Sequence, residues 1–98
     1  MLTGKQKRFL RSMASTMEAI VQVGKNGVND SVLFSLEEAL RARELVKVKV
    51  LKNALEEVDE AADALAQATH AELVQIIGRN VLLYRPNADK PLIVLPKE

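Results

Sequence analysis

The sequence predicts an α/β fold: a single small domain with the element order α-β-α-β-α-β-β. Apolar residues at helical spacing alternate with short runs rich in valine and isoleucine, which are typical of strands. Capping residues and glycines separate these segments. The 98 residues suffice for one modest core and are too few for two. We therefore expect residues 1–98 to form one domain with about four strands in a mixed sheet and helices mainly on one face.

The first helix is predicted near the start of the chain. Thr3 and Gln6 have the spacing of a capping box, in which each residue satisfies a backbone N–H group at the helix N-terminus. Apolar residues then gather on one side of the helix and basic residues on the other. The basic side is either a solvated face or a surface for an anionic partner. Its cations are Lys5, Lys7, Arg8 and Arg11.

A glycine turn follows the first predicted strand, which spans residues 19–23. The turn has the sequence Gly-Lys-Asn-Gly at residues 24–27 and precedes a helix capped by Asn29 or Asp30. Glycine permits positive φ or close approach of another molecule to the backbone, and a helix N-terminus favours an anion. The turn therefore indicates a clamp for a nucleic-acid backbone, although an ordinary strand-to-helix turn can also need two glycines.

The second predicted strand, within residues 45–51, alternates with a period of two. Its valines share one side, and Lys47 and Lys49 share the other. We expect a sheet with one open face that carries both lysines, either as a plain solvated face or as part of an anion-binding surface. Asn53 and Glu56 repeat the capping-box spacing and predict the start of a third helix.

The last part of the chain predicts a β-hairpin. Residues 72–77 and 81–85 are strand-like and flank a short turn at residues 78–80. Pro86 ends regular pairing, so residues 86–98 are expected to form a tail or a short edge strand. Both strand-helix-strand crossovers are expected to be right-handed, which places their helices on the same side of the sheet.

Charge is distributed unevenly along the chain. The net charge is only +1, but residues 1–52 carry ten basic and five acidic side chains, which gives +5. Residues 53–98 carry four basic and eight acidic side chains, which gives −4. The first half is therefore the expected surface for an anionic partner. Aromatic residues make up only 3% of the chain, which gives little support to a base-stacking platform.

The residue types of most catalytic and metal sites are absent. The chain has no cysteine and one histidine, and it lacks the common nucleophile, zinc and Walker motifs. We expect no enzymatic activity, no cofactor, no metal and no small-molecule substrate. No apolar run approaches the roughly 20 residues that span a bilayer, so no membrane partner is expected. The lack of cysteine is compatible with a reducing compartment, and we expect a cytoplasmic location.

Three segments together are more specific than the glycine turn alone. They are residues 2–11 (LTGKQKRFLR), residues 21–28 (VQVGKNGV), and the strands at 44–50 (ELVKVKV) with 74–85 (VQIIGRNVLLYR). In order and spacing they resemble the bacterial YhbY family, the stand-alone form of the CRM domain, which is named for chloroplast RNA splicing and ribosome maturation. The resemblance implies a fold similar to the C-terminal domain of translation initiation factor three, with a glycine loop like that of KH domains.

The resemblance also implies a function. It points to an RNA-binding protein that acts in assembly of the large ribosomal subunit, on ribosomal RNA in precursor particles. Recognition is expected to be mainly of RNA backbone and shape. A DNA-binding or chromatin-type protein and a ribosome-associated protein-binding adaptor stay open as alternatives. The RNA-binding residues carried onto this sequence are Gly24, Lys25, Asn26, Gly27, Lys5, Lys7, Arg8, Arg11, Lys47, Lys49, Arg79 and Arg85.

Overall fold

The computed structural model describes residues 2–97, and its elements confirm the predicted order. The capping box between Thr3 and Gln6 is also confirmed, because each residue's side chain accepts from the other's backbone N–H. The helices of the described chain are α1 (Gly4–Ala14), α2 (Asp30–Arg43) and α3 (Val58–Thr69). The strands are β1 (Val21–Val23), β2 (Leu45–Val50), β3 (Glu72–Ile77) and β4 (Asn80–Tyr84).

The four strands form a mixed sheet in the order β1-β2-β4-β3. β1 and β2 run parallel, with Val21 opposite Val48 and Val23 opposite Val50. β4 lies between β2 and β3 and is antiparallel to both, which confirms the predicted hairpin. Gly78 in the hairpin turn has a φ of 58°, a value that tight hairpin turns favour and that glycine adopts without strain.

The main core lies on the sheet face that α2 and α3 cover. The predicted alternation in β2 is confirmed, since Val46, Val48 and Val50 all point to this face and are completely buried. Each such valine stabilises the fold by about 1.5–3 kcal/mol relative to an exposed position. The helices contribute three fully buried leucines, which are Leu36, Leu40 and Leu65. Two of the three described helices thus share one face, as predicted.

The opposite face is partly covered, and the expectation of an open face with two lysines is wrong. α1 packs on this face, and Lys47 lies beneath its end, where Nζ donates to the carbonyl oxygens of Ala14 at 2.9 Å and Met17 at 2.8 Å. The carbonyl groups at a helix C-terminus lack partners within the helix, so a lysine is a suitable donor there. Of the two lysines, Lys49 is exposed. The cluster under α1 contains Leu10, Ala14, Leu45, Val74, Leu82 and Tyr84.

The third helix begins at Val58, not directly after Asn53 as the capping-box spacing predicts. Its first turn is held instead by Glu60, whose Oε1 accepts from the backbone N–H of Glu57 at 3.2 Å. The carboxylate of Glu56 reaches across to the residues before α2. The prediction failed because a hydrogen bond between distant parts of the chain replaces the local cap.

The segment after β4 forms no strand within residues 86–97 and is held by a buried carboxylate. Glu44 follows α2 and is completely buried. Its carboxylate accepts from the backbone N–H groups of Asn87 at 2.6 Å, Leu92 at 2.8 Å and Ile93 at 2.7 Å. Ile93 and Leu95 then pack against the cluster under α1. This carboxylate therefore fixes the path of the chain after β4.

Replacing Glu44→Ala is expected to lower the free energy of unfolding by about 2–4 kcal/mol, because three N–H groups lose a charged acceptor. Urea unfolding followed by circular dichroism measures the change. The control is Glu38→Ala, which removes an exposed glutamate of α2 and is expected to cost less than about 1 kcal/mol. Equal losses in the two variants would show that Glu44 does not hold this segment.

Candidate functional site

Residues 24–27 form a tight turn between β1 and the start of α2. The backbone N–H of Gly27 donates to the carbonyl oxygen of Gly24 at 2.9 Å, and Gly27 has a φ of 72°. This positive φ is the local reason for glycine at the second position. Lys25 and Asn26 lie at the tip of the turn, and both are exposed. They are the residues of the turn that another molecule can reach most easily.

The second glycine is covered by the segment that precedes α3. Gly27 is buried, and the N–H of Val28 donates to the Glu56 carboxylate, whose two oxygens lie 3.0 and 3.2 Å away. The N–H of Leu55 donates to the carbonyl oxygen of Gly24 at 3.2 Å. A Cβ atom at position 27 would lie 2.8 Å from a Glu56 oxygen. The space that the sequence assigned to an RNA phosphate at Gly27 therefore holds a carboxylate of the chain itself.

The backbone donors of this region divide into used and available groups. Asn29 is confirmed as the cap of α2, because its Oδ1 accepts from the N–H of Val32 at 2.9 Å. The N–H groups of Val28 and Val32 are therefore both bound to side-chain acceptors of the chain itself. No hydrogen bond among residues 2–97 uses the backbone N–H of Lys25 or Asn26. The tip of the turn thus keeps two donors for an external acceptor.

Arg79 joins the hairpin turn to the end of β2. Its Nε donates to the carbonyl oxygen of Val50 at 2.7 Å, and its Nη2 donates to that of Leu51 at 2.6 Å. The N–H of Leu51 in turn donates to the carbonyl oxygen of Val23, the last residue of β1, at 2.9 Å. Arg79 therefore has a structural role, and it also places a positive charge at the end of the sheet where the glycine turn begins.

Two exposed lysines lie at this same end. Lys49 is opposite Gln22 of β1 and Asn80 of β4 in the strand pairing. Lys52 follows the end of β2 and was missed by the sequence reasoning. Lys52 could have been found from its position soon after β2, because parallel strands have their C-terminal ends at the same end of a sheet. We define the basic end of the sheet as Lys25, Asn26, Lys49, Lys52 and Arg79.

The predicted cations of α1 lie on the other side of the sheet from α2 and α3. Lys5 and Arg8 are exposed, and Lys7 and Arg11 are half-buried. Arg11 lines a cavity together with Asn80, which connects it to the basic end of the sheet. Lys5, Lys7 and Arg8 precede Arg11 by up to six residues, which corresponds to about 9 Å along the helix axis. Their part in binding stays a prediction.

Arg85 lies beyond the opposite end of β4 from the hairpin turn. Its Nη1 donates to a Glu37 oxygen and to the carbonyl oxygen of Thr69, each at 2.8 Å, and its Nη2 donates to the second Glu37 oxygen at 3.1 Å. The hydrogen bond from Arg85 lowers the pKa of Glu37, and burial opposes that shift. The structure does not bring Arg85 to the glycine turn, and Glu37 balances its charge. Its role in RNA binding stays a prediction.

Two further observations concern membrane-spanning helices and metal sites. No helix in residues 2–97 combines the length and the apolar character needed to cross a membrane. Over the same range, no three histidine, aspartate or glutamate side chains converge as a metal site would require.

These features define a small α/β domain with basic residues around a glycine turn at one end of its sheet. The chain matches the sequence model of the CRS1 / YhbY (CRM) domain over residues 2–85. It is 50% identical over 96 residues to the "Probable RNA-binding protein YqeI" of Bacillus subtilis, a match that covers 98% of this chain and 100% of that protein. It is 38% identical over 97 residues to an RNA-binding protein of Haemophilus influenzae, covering 99% and 97% of the two chains.

A solved structure supports the same assignment. The hypothetical protein SAV1595 from Staphylococcus aureus, determined in solution, is 45% identical and superimposes with a TM-score of 0.81. The match covers 98% of this chain and 100% of that one. The chain therefore belongs to the CRS1 / YhbY (CRM) domain family, as the sequence segments indicated.

Gly27→Ala is expected to lower the free energy of unfolding by about 1–3 kcal/mol, because alanine disfavours the positive φ and its Cβ displaces the Glu56 carboxylate. Thermal unfolding measures the difference. Gly24→Ala is the matched control: its Cβ would lie 3.7 Å from a Leu51 methyl group, an ordinary contact, and the expected change is within about 0.5 kcal/mol. The account of Gly27 fails if both variants are equally stable.

Proposed function

We propose that this protein binds RNA and that the basic end of the sheet holds the RNA backbone. The observation that carries the proposal is the exposed tip of the glycine turn, where the backbone N–H groups of Lys25 and Asn26 have no hydrogen-bond partner within residues 2–97. Relatives with 50% and 38% identity over nearly the whole chain carry names that describe RNA binding. This shared sequence supports RNA rather than DNA or a protein as the partner.

The chemistry of the tip suits a phosphate group. Phosphate oxygens accept hydrogen bonds from backbone N–H groups, and the start of α2 adds the positive end of its helix dipole. Lys25, Lys49 and Lys52 supply attraction that does not depend on base sequence. Arg79 adds its charge while two of its nitrogen atoms hold the end of β2. The proposed contacts are therefore directed at the backbone of the RNA.

Glu56 limits where the phosphate can lie. Its carboxylate occupies the N–H of Val28 and covers Gly27, so an anion at that position would meet a negative charge. We place the phosphate at the tip, on the N–H groups of Lys25 and Asn26. In this arrangement Gly27 serves the geometry of the turn and makes room for Glu56.

The proposed RNA is ribosomal RNA in precursors of the large ribosomal subunit. Membership of the CRM family supports this choice, because the sequence resembles the YhbY branch, which implies a role in ribosome assembly. The action is proposed to be binding during assembly, in the cytoplasm, with no catalytic step. Co-sedimentation of the tagged protein with large-subunit precursors tests this narrower part.

The main test is a binding titration of ribosomal RNA fragments at increasing salt, with Lys25→Glu as the variant. Affinity is expected to fall steeply with salt, and Lys25→Glu is expected to weaken binding about tenfold and to reduce the salt slope by about 1. Lys90→Glu is the matched control, because it makes the same charge change at an exposed residue between two positions tied to Glu44. It is expected to change affinity less than about twofold.

Two outcomes would contradict the proposal. One is affinity that stays constant between low and moderate salt, and the other is equal weakening by the two lysine variants. Competition with duplex DNA distinguishes RNA binding from the main alternative, DNA binding, since contacts to 2′-hydroxyl groups favour RNA. Retention on ribosomal particles after all the basic residues are replaced would instead support a protein-binding adaptor.

Glu56→Gln is expected to raise RNA affinity about threefold. The amide oxygen can still accept from the N–H of Val28. Two negative charges separated by about 6 Å repel by about 0.7 kcal/mol in water, and the variant removes one of them. Asp59→Asn is the control, because it makes the same charge change at an exposed position in the first turn of α3. If Asp59→Asn has the larger effect, Glu56 does not face the phosphate.

A further inference from the structure

A cavity of about 200 Å³ lies on the α1 face of the sheet, between the last turn of α1 and strands β2, β4 and β3. Part of its wall is apolar and consists of Ala14, Ile77 and Leu82. Another part carries the side chains of Arg11, Gln75 and Asn80. The cavity thus combines apolar contact with hydrogen-bonding groups, which is the composition of a ligand pocket.

Gln75 is the unusual residue of this cavity. The pairing of β3 with β4 shifts between Leu73 and Gln75, so Gln75 lies opposite Leu82 and shares its side of the sheet. Its Oε1 is shut off from solvent and has no hydrogen-bond partner among the described residues. A buried acceptor without a donor costs about 1–3 kcal/mol, and folded proteins rarely leave one. Rotation of the amide about its last side-chain bond, which is a soft torsion, lets this acceptor meet an N–H donor of a ligand in the cavity.

The floor of the cavity disfavours a phosphate. Lys47 lies there, but its Nζ is already bound to the carbonyl oxygens of Ala14 and Met17. The Ala14 carbonyl belongs to the C-terminal end of α1, which carries the negative end of the helix dipole, and Met17 lies three residues further along the chain. Arg11 in the wall would attract an anion, but a phosphodiester has no N–H to donate to the Gln75 acceptor. A neutral group that carries N–H donors therefore fits better. Nucleobases have these properties, and proteins that read unpaired RNA bind base edges by hydrogen bonds.

The cavity is connected to the basic end of the sheet by a row of strand residues. Gln22 of β1 is opposite Lys49, and Lys49 is opposite Asn80, which lines the cavity. Neighbouring strands are about 4.8 Å apart, so this row spans about 10 Å. The residue after β1 is the first of the glycine turn. An RNA strand held at the tip of the turn can therefore pass Lys49 and place a nearby base at the cavity.

We propose that this cavity receives one unpaired nucleobase of the bound RNA, with the Gln75 amide turned so that its Oε1 accepts a hydrogen bond from a ring or amino N–H of the base. The inference rests on the proposed function, since it needs RNA at the basic end of the sheet. It adds a contact to a base, which a site made only of phosphate contacts lacks. RNA with unpaired bases is then bound more tightly than a perfect duplex of the same length.

The test compares two RNA hairpins of equal length in which an ethylene-glycol linker replaces the loop, so that neither has unpaired loop bases. One is fully paired in its stem, and the other has three unpaired bases in the stem. Gln75→Leu keeps a side chain of similar size next to the apolar wall and removes the acceptor. It is expected to weaken binding of the RNA with unpaired bases about tenfold, and binding of the paired RNA less than about twofold. The salt slope should not change, because no phosphate contact is lost.

A second variant keeps the test decisive if Gln75→Leu does not fold. Ser15 lines the cavity and is exposed, so Ser15→Tyr narrows the opening without replacing Gln75. It is expected to weaken the RNA with unpaired bases selectively, as Gln75→Leu does. If the folded variants bind both RNAs as the wild type does, the cavity holds no base and the inference is wrong.

The comparison also separates this inference from the proposed function. Lys25→Glu is expected to weaken both hairpins. If the wild type shows no salt-dependent binding to either hairpin, the proposed function fails. If it binds both with equal affinity, only the inference fails. A shift of the Gln75 side-chain amide signal in NMR spectra with adenosine alone, at millimolar concentration and without RNA, is expected, because a cavity that receives a base of RNA also admits a free nucleoside weakly. No shift with any of the four nucleosides would overturn the assignment to a base.

Discussion

The parallel pairing of β1 with β2 is the interaction on which the candidate site depends. Because the two strands run in the same direction, the turn after Val23 and the segment after Val50 leave the sheet at the same end. Hydrogen bonds then tie these segments together, from Leu51 to β1 and from Leu55 to the first glycine of the turn. Arg79 ties the turn of the β3–β4 hairpin to the same end of the sheet through two further hydrogen bonds. Residues far apart in the chain thereby form one surface.

That surface has mixed charge, and its arrangement has consequences for an anionic partner. Lysines are exposed at the tip of the glycine turn and along the end of the sheet, while Glu56 lies beneath them on the backbone of Val28. A carboxylate in this position stabilises the turn when no anion is bound and repels an anion that comes too deep. The phosphate is therefore proposed to lie at the outer rim of this surface. Along the sequence, Glu56 lies in the acidic second half of the chain. In the folded protein it lies next to the glycine turn, at the basic end of the sheet.

The buried and half-buried charges of this fold are satisfied largely by backbone groups. The Glu44 carboxylate accepts three N–H groups, and Lys47 and Arg79 each donate to two carbonyl oxygens. Such pairing is required because a charge removed from water is costly without hydrogen bonds. Three of the residues predicted to bind RNA, Lys47, Arg79 and Arg85, are therefore engaged inside the fold. Against this pattern, the unpaired oxygen of Gln75 is an exception.

The sequence by itself determined the order of the elements, the inward side of β2, the first capping box, the hairpin and the family. These features depend on residues close in the chain, whose spacing reflects helix and strand periodicity. Only the tertiary structure decided that α1 covers the second face of the sheet, that α3 starts at Val58, and that Glu56 binds the N–H of Val28. In each case a donor or an apolar surface from one part of the chain meets a distant group. Local spacing carries no information about that competition.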